Sequence, residues 1–526
     1  MRHSNVMKRL FAGAAATICA GLLAFAQPAQ QSATQQAAAD YRTAMEQADL
    51  AIQKENQAHS ELMKNEEYLT TEIGPRLTGG KEMQAATPWA VQRFKDYGLD
   101  AHAEDAAVDR AWYPGVDTAE IVTPWHKVID IHAESYSKTT CPDGQPTMDP
   151  QGRQNPACEI TAPVMALAPG ETPTAADVKG KIVLQGPPAS NNLDPDYAAD
   201  NSYDSVIVPP KGVPTGRGRG RGFGGGRGAA GAANPLDDAA LVLRDGGKPW
   251  NLVSIGSAGR GQTGFSPTPT AAIAHEDYAL IYRMIKDYSN NVTMRIAIRG
   301  TLSAGPEKAS IAVAQIQGAE KPDEQVIIGG HLDSWFLGQG AVDNGTGAMS
   351  VLEAARIIHA LGWKPKRTLT FILFTGEEEG GLGVRTFVAN HKAEMAKVDS
   401  VLVDDVGTGR FLSIPIDGFW EAVPALEQVY TPLREVFDLD PLDTRTFGSS
   451  DHVAFEREGI PAYLGIQAPA HYREEHHTQT DTFDKVIPDQ ANQGASVIAA
   501  WLWNVSQLDE PFPHHAVTSA PARGGR

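Results

Sequence analysis

Positive charge is in short supply in this chain. Lysine and arginine together number 45 against 64 aspartates and glutamates, a formal net charge of -19. That balance excludes nucleic acid and anionic membrane surfaces as partners of the protein as a whole, while leaving room for cations to be held locally. Long apolar runs are also missing. Beyond the N-terminus, no stretch approaches the ~20 residues that a bilayer span requires. A serine hydrolase would show its nucleophile in a G-x-S-x-G turn, and the chain has none. A single-zinc protease of the H-E-x-x-H kind is excluded in the same way. Cysteine is scarce, with three in 526 residues.

The N-terminus reads as an export signal. "MRHSNVMKR" is a basic head, "LFAGAAATICAGLLAF" is an apolar segment too short for a membrane anchor, and "AFA" before Gln27 is a small-x-small cleavage site. The expectation is a signal peptide over 1–26, cleavage after Ala26, and a periplasmic or extracellular product with no membrane attachment. The residues before Cys19 do not make a lipobox. Cleavage leaves Cys141 and Cys158, an even pair in an exported chain, which predicts a disulfide.

The length and a 42% hydrophobic content predict two or three domains. Residues 27–40 are Gln/Ala-rich and read as a disordered linker. Residues 41–130 read as the N-terminal part of the catalytic domain, with helical spacing broken at "IGPRLTGG". From 131 to 274 short β-like runs ("GKIVLQGPP", "DSVIVPP", "AALVLRDGG") sit between turns, which predicts a small β-rich insert. Its Gly/Arg-rich segment, 216–228, has a composition that binds RNA in other settings. In an exported chain it reads as a surface loop. From 275 to 512 apolar strands alternate with helical patterns, and 513–526 reads as a disordered tail. The alternation predicts an α/β fold, a mostly parallel sheet with helices on both faces. Ligand sites of such sheets gather at the carboxyl ends of the strands.

Acidic and imidazole residues stand at those ends. His331 and Asp333 follow "QVIIGG", and Asp343 lies in the glycine-rich turn just after. Glu377, Glu378 and Glu379 follow "TLTFILFTG", Asp404 and Asp405 close "SVLVDD", and His476 and His477 follow "IPAYLGI". Singly, each is an ordinary turn former, helix cap or surface histidine. Converging together, the carboxylates would repel one another and raise their own pKa values unless a cation joined them. Imidazole mixed with carboxylate suits zinc.

"GGHLDSW", "GQGAVDNGTGA", "PKRTL", "EEEGGLG", "DVGT" and "HHTQTDT" together resemble, in order and separation, the co-catalytic zinc peptidase family that includes bacterial leucyl aminopeptidases, glutamate carboxypeptidases and the transferrin receptor. The resemblance runs from about residue 60 to 510 and is weakest in the β-rich insert, which is similar to a protease-associated domain. It implies a zinc-exopeptidase fold and two Zn2+ per chain. Asp343 would bridge the ions, Glu378 and His477 would complete one site, and His331 and Asp405 the other. Asp333 would accept a hydrogen bond from the His331 ring, and Glu377 would be the general base. Some relatives place a tyrosine before a Ser-Asp-His motif to assist the oxyanion. This chain has Phe447 in "TFGSSDH", which leaves His452 and Tyr472 as candidates. Glu379 is expected to face solvent.

The implied activity is hydrolysis of peptides near a free terminus, by an aminopeptidase or dipeptidase acting on a peptide substrate. A carboxypeptidase of the glutamate carboxypeptidase type, a one-zinc glutaminyl-cyclase-like enzyme and a metal-free receptor relative are the alternatives. Oligomeric state has no signature in the chain, and a homodimer stays open.

Overall fold

Val-, Ile- and Leu-rich segments pair into a six-stranded sheet. Its strands are β1 (Asp100–Val108), β2 (Glu307–Ile316), β3 (Lys321–His331), β4 (Arg367–Phe374), β5 (Val398–Val403) and β6 (Ala462–Leu464), in the spatial order β1-β2-β4-β3-β5-β6. β4/β3, β3/β5 and β5/β6 are parallel, whereas β1/β2 and β2/β4 are antiparallel. The sheet is therefore mixed, with its parallel part around β3. The computed structural model describes residues 26–143, 147–148, 152–189, 234–256 and 266–516. The expected signal peptide (1–26) apart from its last residue, the β-like run 204–210, the Gly/Arg-rich segment 216–228 and the part of the expected tail beyond 516 lie outside the described residues.

Side chains alternate across the strands, so each face of the sheet must be covered. Val326 and Ile328 of β3, Phe371 of β4 and Leu402 of β5 pack on one face with α3 (Thr346–Ala360), α5 (Val423–Phe437) and α6 (Pro488–Ser506). Ile327, Ile372, Val401 and Val403 pack on the other face with α4 (Leu382–Asn390) and the short helix His452–Glu456. Each fully buried Ile or Phe contributes about 2–3 kcal/mol of transfer free energy. This two-sided burial is why the strands read as continuous apolar runs.

Two expectations of disorder fail. Residues 27–40 lie inside a single helix, α1 (Ala26–His59). Alanine and glutamine are good helix formers, and the segment continues into turns where Met45 and Ile52 join the core. Residues 513–516 of the expected tail also pack. The His515 ring stacks on Phe419 at 4.2 Å, and the His515 main-chain N–H donates to the Gly459 carbonyl at 2.8 Å. α2 (Lys81–Asp96) covers the outer strands through Met83, Ala86 and Phe94.

A second, eight-stranded sheet has its own core. Its strands run from Thr118–Thr123 to Thr293–Ala297, wider than the expected 131–274. Thr293–Ala297 pairs antiparallel with both Thr118–Thr123 and Ile160–Ala166, and these flanking segments carry no shift in composition to mark them. The helix His275–Lys286 also belongs here, through Tyr278, Ile281 and Met284. Cys141 and Cys158 are joined by a disulfide across a sequence separation of 17. By the chain-entropy account such a loop contributes about 3 kcal/mol. Cys141→Ser with Cys158→Ser is expected to lower the unfolding free energy by about that amount in a denaturant titration. An unchanged midpoint would contradict this.

Candidate metal centre

The three parallel strand ends that follow β3, β4 and β5 lie on one edge, and each delivers an acid or an imidazole. His331 is the last residue of β3. Thr375 and Gly376 lead from β4 to Glu377 and Glu378, while Asp404 and Asp405 directly follow β5. The segment after β6 carries His477, at a φ of +63°. Asp343 lies in the turn between β3 and α3. That turn is glycine-rich because neighbours leave no room for a side chain. Gly340 has a φ of +64°, and a Cβ there would stand 2.3 Å from the Ser334 side chain. A Cβ on Gly347 would stand 2.2 Å from the Asp404 carbonyl oxygen. Glycine thus lets the start of α3 approach the end of β5.

Asp343 sits between two groups and turns one carboxylate oxygen to each. Its Oδ1 is 3.4 Å from His331 Nε2, which is 3.0 Å from Asp405 Oδ1. Its Oδ2 is 3.2 Å from His477 Nε2, which is 3.0 Å from Glu378 Oε2. Ligands at about 2.1 Å from a tetrahedral ion stand about 3.4 Å apart. Both groups have that spacing. Glu378 Oε1 is buried without a hydrogen-bond partner, and the His477 imidazole is the near neighbour of the buried Asp343 Oδ2. An acceptor left this way costs about 1–3 kcal/mol, more if charged, and a bound cation removes the cost. The donor set of imidazole and carboxylate therefore fits zinc on both sides of Asp343. Glu377 also lies within reach of His331 and Asp405, so the two adjacent glutamates turn to different groups.

Crowding shows in the acidities. Burial, with Asp405 next, pushes the Glu377 carboxyl well above its ordinary range. Burial pushes Glu378 up to about 7, against the pull of His477. Burial and Asp405 push Asp404 up to about 7. Burial also raises Asp343, but the His331 and His477 imidazoles outweigh it and hold that carboxyl well below the usual range.

The surrounding residues differ from the sequence expectation in three places. The acceptor nearest His331 Nδ1 is the main-chain carbonyl of Asp333, at 2.9 Å; the Asp333 carboxylate is 3.6 Å away. That carboxylate instead accepts from the Thr78 hydroxyl at 3.1 Å and from the N–H groups of Glu377 and Glu378 at 3.3 and 3.4 Å. It holds the main chain of the glutamate pair. The second difference is Glu379, expected in solvent. Its carboxyl oxygens are shielded, it lies against Tyr136 of the second sheet, and burial pushes it up to about 8. The third concerns the oxyanion candidates. Tyr472 faces the acids, since Asp343, Asp405 and Glu378 add to the burial that raises its hydroxyl. His452 points to Asp417 and Glu456 instead.

Several residues of the site carried no sequence signal beyond proximity to a motif. Asp481 accepts from the N–H of Val342 at 2.6 Å and of Asp343 at 3.3 Å, fixing the backbone of the bridging residue. Arg76 of "IGPRLTGG" is buried and donates to the carbonyls of Leu332, Gly74, Gln339 and Gly340. It ties the end of β3 to the glycine turn. The second sheet closes one side. The Ile255 N–H donates to the His477 carbonyl at 3.1 Å, and the Val253 N–H to Gln479 Oε1 at 3.0 Å. Lys248 donates to the Arg473 carbonyl. The Trp335 ring stands edge-on to His477 at 5.8 Å.

Residues 312–502 match Peptidase family M28. The chain is 28% identical over 452 residues to carboxypeptidase Q of Bos taurus, covering 85% of each chain. Among solved structures, a peptidase M28 precursor from Shewanella amazonensis superposes with a TM-score of 0.70 at 23% identity, over 90% of this chain and 100% of that one. A zinc aminopeptidase from Bacillus subtilis superposes with a TM-score of 0.58 at 19% identity, over 84% and 94%. These two likenesses establish the shared fold.

Proposed function

We propose that this chain, whose residues 312–502 match peptidase family M28, is an exported metallo-exopeptidase, an aminopeptidase or dipeptidase that takes two zinc ions at Asp343. The observation that carries the reading is the division of the Asp343 carboxylate, one oxygen to His331 and Asp405, the other to His477 and Glu378. These five residues would hold the zinc, which when bound would supply Lewis acidity toward a water and the peptide carbonyl.

The chain's own groups do the rest. Glu377 accepts the proton of the attacking water and delivers it to the leaving amine. Its burial keeps it dry and basic enough for that exchange once cations offset the neighbouring carboxylates. The Asp333 carboxylate, through the N–H groups of Glu377 and Glu378, keeps the base and the ligand on their separate sides. Tyr472 keeps its proton and donates a hydrogen bond toward the oxyanion. Asp481 and Arg76 hold the turn that presents Asp343.

Export is supported by the basic and apolar N-terminal pattern and by the disulfide. Among the described residues, no helix is long and apolar enough to cross a membrane. The eight-stranded sheet, whose segment 248–255 walls the His477 side, is read as the protease-associated-like part of the chain.

A carboxypeptidase reading is favoured by one observation besides the likeness to carboxypeptidase Q. Lys248, bonded to the loop that carries His477, supplies a cation with which a substrate carboxylate can pair. Burial and Arg473 lower it to about 8. Free, N-blocked and C-amidated di- and tripeptides separate the readings. Cleavage lost on N-blocking alone supports an aminopeptidase, loss on amidation alone a carboxypeptidase, and loss on both a dipeptidase. Equal cleavage of all three would exclude an exopeptidase.

A further inference from the structure

Away from Asp343, a second set of ligand-type side chains is buried on the α4 face of the sheet. The helix His452–Glu456 presents His452 and Glu456 one turn apart, and i,i+4 side chains share a helix face. Opposite them is Asp417, held at a φ of +51° in the turn before Gly418. His452 Nε2 is 3.6 Å from Asp417 Oδ2 and 4.0 Å from Glu456 Oε1. One donor atom from each of the three lies within 4.8 Å of the other two. The side chains of Asp417 and His452 are fully buried, and that of Glu456 is 20% exposed, which leaves a way in from solvent. Asp417 Oδ2 and Glu456 Oε1, the two atoms that face the imidazole, have no hydrogen-bond partner. The other Asp417 oxygen is used, accepting the Phe447 N–H at 2.8 Å.

An orphaned buried carboxylate oxygen is costly, and here two of them face one ring nitrogen, His452 Nε2, whose other neighbour is the Phe447 carbonyl at 3.4 Å, a contact that a bound ion would displace. Among the described residues no lysine or arginine forms an ion pair with these two carboxyls, although the charge of Arg457 pulls on Glu456. Burial pushes Asp417 up to about 7, burial and Asp417 push Glu456 up to about 9, and burial pushes His452 down to about 4. All three groups are thus driven toward neutrality, which leaves a lone pair on the imidazole and two carboxyls that gain by meeting a cation. One imidazole and two carboxylates are a donor set for zinc or a similar transition ion, whereas calcium takes six to eight oxygens. Ligands about 2.1 Å from one ion stand about 3.4 Å apart, so each carboxyl has to close on the imidazole by about half an ångström or less.

We propose that Asp417, His452 and Glu456 form a further metal site, separate from the pair at Asp343, that takes one divalent transition-metal ion such as zinc. The ion joins the loop at Asp417 to the helix that follows Asp451, a carboxyl that burial pushes well above its ordinary range, with His331 opposing and Asp333 and Asp405 adding. The site is structural: it braces the wall of the catalytic centre and does not touch substrate.

The test is metal content of the full chain, saturated with zinc chloride, freed of excess by gel filtration and measured by mass spectrometry. Wild type is expected to hold three zinc ions, and Glu456→Gln and Asp417→Asn two each. Asp417→Asn keeps an oxygen for the Phe447 N–H, so it guards against a folding artefact in the other variant. Glu456→Gln is expected to keep peptidase turnover within about twofold of wild type, since the residue lies outside the catalytic group. Two ions in wild type and in both variants would overturn the proposal and leave a proton-sharing pair of carboxyls. Three ions in all three proteins would also overturn it. Asp343→Ala is expected to retain one ion, so failure of the catalytic assignment reads differently from failure of this one.

Discussion

Asp343→Ala is expected to abolish peptide hydrolysis and to release both ions of the catalytic pair. Asp343 is the residue common to the two groups, with Oδ1 beside His331 and Oδ2 beside His477. Removing it leaves His331 and Asp405 on one side and His477 and Glu378 on the other, two protein ligands each, where a catalytic zinc takes three. It also leaves Glu377, Glu378 and Asp405 facing one another with less to offset them. The turn itself should survive, because its anchors are main-chain bonds to Asp481 and Arg76. Metal analysis beside steady-state kinetics on one dipeptide checks both parts. A variant that keeps the two ions and near-normal turnover would refute the bridging role.

Glu377→Gln should separate chemistry from metal binding. Glutamine keeps the size and most of the hydrogen bonding of glutamate but cannot accept the water's proton at neutral pH. The five proposed ligands are untouched, so the metal content should match wild type. KM should change little, because ground-state contacts persist. Turnover should fall by roughly 100- to 10,000-fold, the usual span for a positioned acid–base group. Glu377 also lies within reach of His331 and Asp405, which gives the outcome a second use. Loss of an ion would exchange the roles of Glu377 and Glu378. An unchanged rate with both ions bound would take Glu377 out of the mechanism.

The catalytic sheet is legible in the chain because its strands are buried on both faces. "QVIIGG", "TLTFILFTG" and "SVLVDD" are largely apolar and β-branched, and in parallel strands such runs put their carboxyl ends together. The residues at those ends, His331, Glu377, Glu378 and Asp405, could therefore be grouped before any coordinates. What pattern reading misses is the supporting layer. Asp481 acts through the N–H groups of Val342 and Asp343 across 138 or more residues of chain, and no periodicity records such a contact. Glu379 was expected in solvent because a third charge in a run is usually solvated. The Tyr136 side of the second sheet, distant in sequence, covers it. Residues 27–40 misled through composition: Gln/Ala richness fits disorder and helix equally, and the segment runs on as helix into the turns of α1 whose Met45 and Ile52 are in the core. The flanks of the second sheet were missed because strands as short as Lys127–Ile129 carry too few residues to show alternation.

The central claim is that one carboxylate joins two zinc ions at the ends of the parallel strands. Anomalous diffraction from a zinc-loaded crystal, collected on both sides of the zinc absorption edge, tests it directly. The account predicts two peaks flanking Asp343, each about 2 Å from one of its oxygens, the first also ligated by His331 and Asp405 and the second by His477 and Glu378. A single peak there, or none, would contradict it.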